Sequence, residues 1–159
     1  METLQVNPSK ALEAYKKADK KEKALLETVF GKGVFACRII DQVKSFEDAC
    51  AVKGVKPSGV LPFKKPANKD QEAINAFAMM QLIAQVLNDD HVFDWSNSSE
   101  YKYFPWFYHN KAGVGFSFYV FACTYTYSDV GSRLCYKSTE LAEYAGKQFL
   151  GIYKKFMTQ

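Results

Sequence analysis

Apolar positions follow different rhythms along this chain. Between residues 73 and 87, Ala73, Ile74, Ala76, Phe77, Met79, Met80, Leu82, Ile83, Ala84, Val86 and Leu87 cover nearly the whole circumference of a helix, which Asn68 and Gln71 start as cap and N3 partner. This predicts a central buried helix. Leu141, Ala145, Phe149, Ile152 and Phe156 instead form one stripe behind Ser138 as N-cap, predicting a long C-terminal helix over 138–156 that packs across another layer. Asn7 as cap, Pro8 at the first helical position and Gly31 as stop predict an N-terminal helix over 1–31. Its middle, 16–23, is almost wholly charged and reads as a solvated, ion-paired face. A capping box of Ser45 and Asp48, closed by Gly54, predicts a short helix over 46–53. Pro57, Pro62 and Pro66 make 55–69 an irregular connection.

Beyond Asn88 the helical period vanishes. Thirteen of the 25 aromatic residues lie between Tyr101 and Tyr136, among β-branched residues and glycines. Strands are predicted over 101–108, kinked by Pro105 and so placed near an edge, over 114–127, and over 132–137, with turns at 109–113 and 128–131. An N-terminal helix over 1–31, a helical part over 45–100 with its basic Pro-rich loop at 55–69, a sheet over 101–137 and a C-terminal helix over 138–156 make a single α+β domain of 159 residues, its helices packed on a small antiparallel, aromatic-rich sheet.

Alternation splits the long strand into two faces. Val114, Phe116, Phe118, Val120, Ala122, Thr124 and Thr126 form the better core face. The other carries Ser117, Tyr119, Phe121, Cys123, Tyr125 and Tyr127. A three-residue hairpin at 129–131 would set Tyr127 opposite Arg133 and Tyr125 opposite Cys135, so that rings and guanidinium share that face, joined by Lys137. Rings stack on nucleobases while Arg and Lys neutralise phosphate. The candidate ligand-binding residues are therefore Tyr119, Tyr125, Tyr127, Arg133, Lys137, Lys102 and Trp106. Two other readings stand beside this one: the tyrosine face is core beneath a helix, or it docks a protein.

Charge narrows the ligand. The net charge of +4 hides a block with five lysines and no acid over 51–69, followed by one with six acids and no Lys or Arg over 70–100. Such a dipolar surface attracts an anion without binding every polyanion. No Gly-rich phosphate loop, cofactor fingerprint or catalytic constellation is present; His91 and His109 stand in no motif, so the expectation is a non-enzymatic binder with no cofactor and no metal. Asp89, Asp90 and His91 read better as a polar helix terminus than as a cation site. Cys37, Cys50, Cys123 and Cys135 lack metal-ligand spacing and read as reduced, buried thiols. The longest apolar stretch, 76–87, is too short to span a bilayer, and the first residues carry no secretory pattern.

Two stretches carry a resemblance. Trp95-Ser96-Asn97-Ser98-Ser99-Glu100-Tyr101-Lys102-Tyr103-Phe104-Pro105-Trp106-Phe107 and Gly131-Ser132-Arg133-Leu134-Cys135-Tyr136-Lys137-Ser138, the latter running on through Phe149, resemble a group of small proteins of bacteriophages and prophages of gut bacteria. The helix at 46–53 fits the same group. The resemblance implies a phage accessory protein in the host cytoplasm or the virion, without assigning any residue a role. In that setting the ring-and-cation pattern points to a nucleotide signal or single-stranded nucleic acid as partner, in a protein that counteracts host defence. The contrasting expectation is a virion or inhibitor protein acting through an aromatic protein–protein interface. A homo-oligomer is compatible with either.

Overall fold

The computed structural model describes residues 8–31, 35, 38–109 and 116–158. Asn7, the predicted turn over 110–113 and the strand start at 114 lie outside them, as does Cys37. The fold is α+β, and two compact units divide the chain, residues 1–41 and 42–159.

In the first unit the predicted single helix is two, α1 (Pro8–Lys17) and α2 (Lys20–Phe30). The break is a capping box: the Asp19 carboxylate accepts from the Lys21 and Glu22 N–H groups at 2.7 and 2.9 Å, and Glu22 accepts from the Asp19 N–H at 2.8 Å. Asp and Glu three apart satisfy donors that would otherwise be orphaned, so these charges start a helix instead of decorating one. Tyr15 stacks on Phe35 with centroids 4.5 Å apart.

The second unit is built on α4 (Lys69–Leu87), preceded by α3 (Phe46–Lys53). Both begin where the sequence predicts, with Ser45 and Asn68 accepting from the N3 backbone. α4 buries Ala76, Met80, Ile83 and Leu87 and packs on α3 and on the second of two C-terminal helices. Those two are α5 (Thr139–Gln148) and α6 (Leu150–Met157), one predicted helix interrupted at Phe149, whose backbone leaves helical geometry. The interruption shifts the apolar stripe: Leu141, Ala145 and Phe149 are buried as expected, but Tyr153 follows them, leaving Ile152 half-buried and Phe156 exposed. The Tyr136 and Tyr153 hydroxyls bond at 3.0 Å in the interior, and burial pushes both phenols up. Among the described residues no helix is long and apolar enough to cross a membrane.

The sheet has two strands, β1 (Lys102–His109) antiparallel to β2 (Phe116–Thr124). The expected third strand over 132–137 is reduced to a 3-10 turn, Ser132–Leu134, and one bridge between Tyr103 and Tyr136. Tyr103 and Tyr136 exchange both backbone bonds, so the odd residues of β1 direct their amides away from β2. Pro105 is the next such position. Its missing N–H stops further pairing on that side.

A bulge corrects the predicted faces. Trp106 pairs with Val120 but Phe107 pairs with Phe118, leaving an extra residue in β2 and reversing its alternation there. Phe116, Phe118 and Phe107 thus join Pro105 on the face packed by α5 and α6, where Phe107 lies 4.8 Å from the Tyr153 ring. Tyr119 falls on the opposite face with Tyr108, ring centroids 4.2 Å apart, beside Trp106. The face of β2 is therefore not uniform along its length.

At Gly146 α5 lies tight against the sheet, because a Cβ there would lie 2.6 Å from Phe118 Cε2 and 2.8 Å from Pro105 Cβ. Gly146→Ala should cost about 1–3 kcal/mol through overpacking. Gly151→Ala, whose Cβ meets nothing within 4 Å, should be neutral or stabilising. Urea unfolding of both variants checks this; equal effects would refute the packing account.

Candidate ligand-binding depression

The C-terminal end of α4 organises the site. Asn88 is buried, and its amide reaches across to the segment that follows β2: Nδ2 donates to the Cys135 carbonyl at 2.8 Å, and Oδ1 accepts from the Lys137 N–H at 2.9 Å. Lys137 Nζ donates to the Asn88 carbonyl at 2.9 Å, putting a cation at the negative end of α4. These bonds set the Ser132–Leu134 turn beside the helix and with it Arg133.

The chain leaves α4 through two successive left-handed residues, Asp89 (φ 56°) and Asp90 (φ 55°), a backbone that non-glycine residues adopt only under constraint. Lys53 hydrogen-bonds Asp90 and holds its carboxyl below the usual carboxylate range. The following loop is fastened from within. Lys102, fully buried, donates to the Asp94 carbonyl at 2.6 Å and the Asn97 carbonyl at 3.3 Å and pairs with Glu100 at 3.0 Å. Its ammonium sits 5.4 Å from the Trp95 ring centroid. The other Glu100 oxygen meets His91 Nε2 at 2.8 Å, and the His91 ring stands edge-on to Phe93 at 4.9 Å. Burial works to push Glu100 up, but Lys102, His91 and the Asp94 N–H together hold its carboxyl below the ordinary value.

Between the helix end, this loop and the turn lies a depression of about 550 Å³. Gln81 and Gln85, one turn apart on α4, line one wall; His91, Phe93 and Trp95 line another; Ser132 and Arg133 line the third. The Arg133 guanidinium is exposed and makes no hydrogen bond or ion pair among the described residues. A planar cation, an indole and side-chain amides around a cavity of this size can hold a flat, anionic molecule. A second cavity of similar volume, between α3, α4 and α6, is lined chiefly by apolar groups, and Lys155 on its rim pairs with Glu72 at 3.6 Å.

The seven residues singled out from sequence do not form one surface. Tyr119 and Trp106 are exposed, 56% and 48%, on the outer face of the sheet. Tyr125 packs on Tyr101 at 4.7 Å, and Tyr127 is 68% exposed beyond the end of β2, where its carbonyl accepts from Thr124 Oγ1. Arg133 is in the depression, where none of these tyrosines lines the wall; the hairpin that would have set Tyr127 opposite Arg133 and Tyr125 opposite Cys135 is absent, since pairing ends at Thr124. Lys102 and Lys137 are committed to carbonyls and Glu100, so neither is a loose cation for phosphate. Trp95, His91 and Phe93 are the rings that accompany Arg133 instead, and the signal for them was a ring-rich run directly after the polar stop of the central helix.

The Cys50 and Cys135 thiols are buried, but Cys123 is exposed on the sheet, correcting its reading as a core residue. Among the described residues no three His, Cys, Asp or Glu side chains converge as a metal site would require. Neither protein-family models, nor curated proteins, nor solved structures match this chain.

A carboxyl held below its ordinary value stabilises the folded state above its unfolded pKa of about 4.3 and loses that contribution as pH falls through the folded value. Glu100→Gln should therefore destabilise the protein at neutral pH, and its difference from the parent should shrink on acidification below about pH 4. Thermal unfolding of both across this range measures it; a difference independent of pH would contradict the pairing.

Proposed function

We propose that this protein is a non-enzymatic binder of a base-containing anionic ligand, and that the depression between α4, the 91–101 loop and the Ser132–Leu134 turn holds it. One observation carries the reading: an uncommitted guanidinium, Arg133, shares a cavity of about 550 Å³ with the Trp95, Phe93 and His91 rings. Arg133 takes a phosphate through its planar fork, Trp95 stacks on the base, and Gln81 offers an amide to the base edge. Gln85 supports this wall by hydrogen-bonding Asp90. His91, which also lines the cavity, is already paired with Glu100.

A small ligand suits this site better than a long strand. Arg133, the free cation among the described residues of the depression, neutralises one or two phosphates, whereas strand binding accumulates many such contacts. The acidic block over 70–100 repels an extended polyanion. A nucleotide is therefore the first choice and single-stranded nucleic acid the second. The resemblance of the 95–107 and 131–149 stretches to phage proteins supports a setting in the host cytoplasm or virion, where sequestering a nucleotide signal counteracts host defence. The contrasting reading, a protein interface, draws on the exposed rings of Trp106, Tyr108 and Tyr119.

Calorimetric titration with AMP, a cyclic dinucleotide and oligo(dT) tests the proposal. Binding of a nucleotide should weaken by about 10-fold to 150-fold in Arg133→Ala, the loss of a charge-assisted contact. Trp95→Ala should weaken it by about 5-fold to 150-fold, while Tyr125→Ala and Tyr127→Ala leave it unchanged. In a Trp106→Phe background, quenching of the remaining indole reports occupancy. No binding by any probe, or full affinity in Arg133→Ala, overturns the assignment.

A further inference from the structure

The two edges of the sheet are unlike. On β1, Tyr136 occupies the Tyr103 position and Pro105 removes the next donor, so that edge is closed to further strands. Among the described residues β2 has no such block over 120–124, the stretch on one side of its bulge at Tyr119. Because the odd residues of β1 face outward before the bulge, Lys102, Phe104 and Trp106 face β2 and form the hydrogen-bonded pairs with Thr124, Ala122 and Val120. Phe121 and Cys123 therefore direct their N–H and C=O groups away from β1. No backbone partner meets them among the described residues of the second unit.

The sequence of β2, Phe-Ser-Phe-Tyr-Val-Phe-Ala-Cys-Thr, holds no charge, proline or glycine in nine residues. Natural edges are usually blunted by lysine, proline, inward charge or a bulge, and β2 has only the bulge, at Tyr119, which leaves 120–124 regular. A two-stranded sheet is also marginal by itself, and four strands with one face on helices are not. We propose that the outer edge of β2 pairs antiparallel with β2 of a second copy of this chain, giving a four-stranded sheet with β1 strands outermost. A neutral strand repels no copy of itself and offers a charged peptide nothing to complement. Two-fold pairing also consumes both open edges and leaves outside only the ones guarded by Pro105 and Tyr136, so assembly stops at two. The Tyr119 and Val120 side chains lie on the face away from α5 and α6, extending the exposed rings across the two-fold axis.

Sedimentation velocity over a range of concentrations reads the outcome against the 18.1 kDa chain. The parent should sediment at twice that mass. Cys123→Pro deletes an outward N–H and no bond to β1, and should raise the dimer dissociation constant by about tenfold or more. Cys123→Ser keeps the N–H and should remain dimeric. Tyr119→Lys, at an exposed side chain, sets like charges near the two-fold axis and should also dissociate the dimer; it decides the matter if Cys123→Pro does not fold. A monomeric parent, or a dimer indifferent to Tyr119→Lys and to a folded Cys123→Pro, overturns the proposal. Capture of a foreign extended peptide on this edge by a monomeric parent does so too. Nucleotide binding by the depression is read separately and does not depend on the result.

Discussion

The buried amide of Asn88 is the constraint on which the candidate site rests. Removing such a group from water is unfavourable unless its donors and acceptors find partners, and here they find the Cys135 carbonyl and the Lys137 N–H, 47 and 49 residues away. Lys137 then returns its ammonium to the Asn88 carbonyl. A helix terminus, which would otherwise leave carbonyls open, is thereby joined to a segment that has no regular ladder of its own. The Ser132–Leu134 turn is held beside α4 by this junction, and Arg133 gains its position over the depression from it.

Lys102 plays the matching part on the opposite wall. Its ammonium, fully buried, is neutralised by Glu100 and satisfied by two loop carbonyls, and the Trp95 ring lies over it. A buried charge lacking any one of these partners would be costly, so the loop over 91–101 is fixed in one arrangement by the same lysine. Of the basic residues after Tyr101, Lys102 is thus spent on the interior and Lys137, itself exposed, on the end of α4. The local excess of positive charge overstates what is free at the surface, and among the described residues of this segment Arg133 is the cation that faces the depression.

Much of the fold was legible because helix starts are written in local chemistry. Ser45 with Asp48 and Asn68 with Gln71 cap the helices they predict, and the apolar run from Ala73 to Leu87 is the buried centre. Asp19 with Glu22 carried the same signal, but amid lysines it also suited an ion-paired face, and local pattern alone does not rank the two. Phe149 lies on the predicted stripe and still breaks it. The sheet was harder. A period of two identifies a strand but does not say where an extra residue enters, and the bulge opposite Trp106 sends Tyr119 and Tyr125 to different surroundings. Pro105 lies on an edge strand, as a residue without an N–H predicts, but its effect on the third strand depends on which way its nitrogen points. Residue types at the site were recognisable as rings and cations; their grouping was not, because it follows from register and from which lysines the interior consumes.

The most direct test of the account is a nitrogen-15 NMR titration with AMP, following the Trp95 indole N–H and the Arg133 guanidinium Nε–H together with the backbone amides. The account predicts saturable shifts at Trp95, Arg133 and the Gln81–Gln85 turn of α4, with Tyr119, Tyr125 and Tyr127 unmoved. Shifts centred on the tyrosines of β2 and its exit, with Trp95 and Arg133 silent, would contradict it.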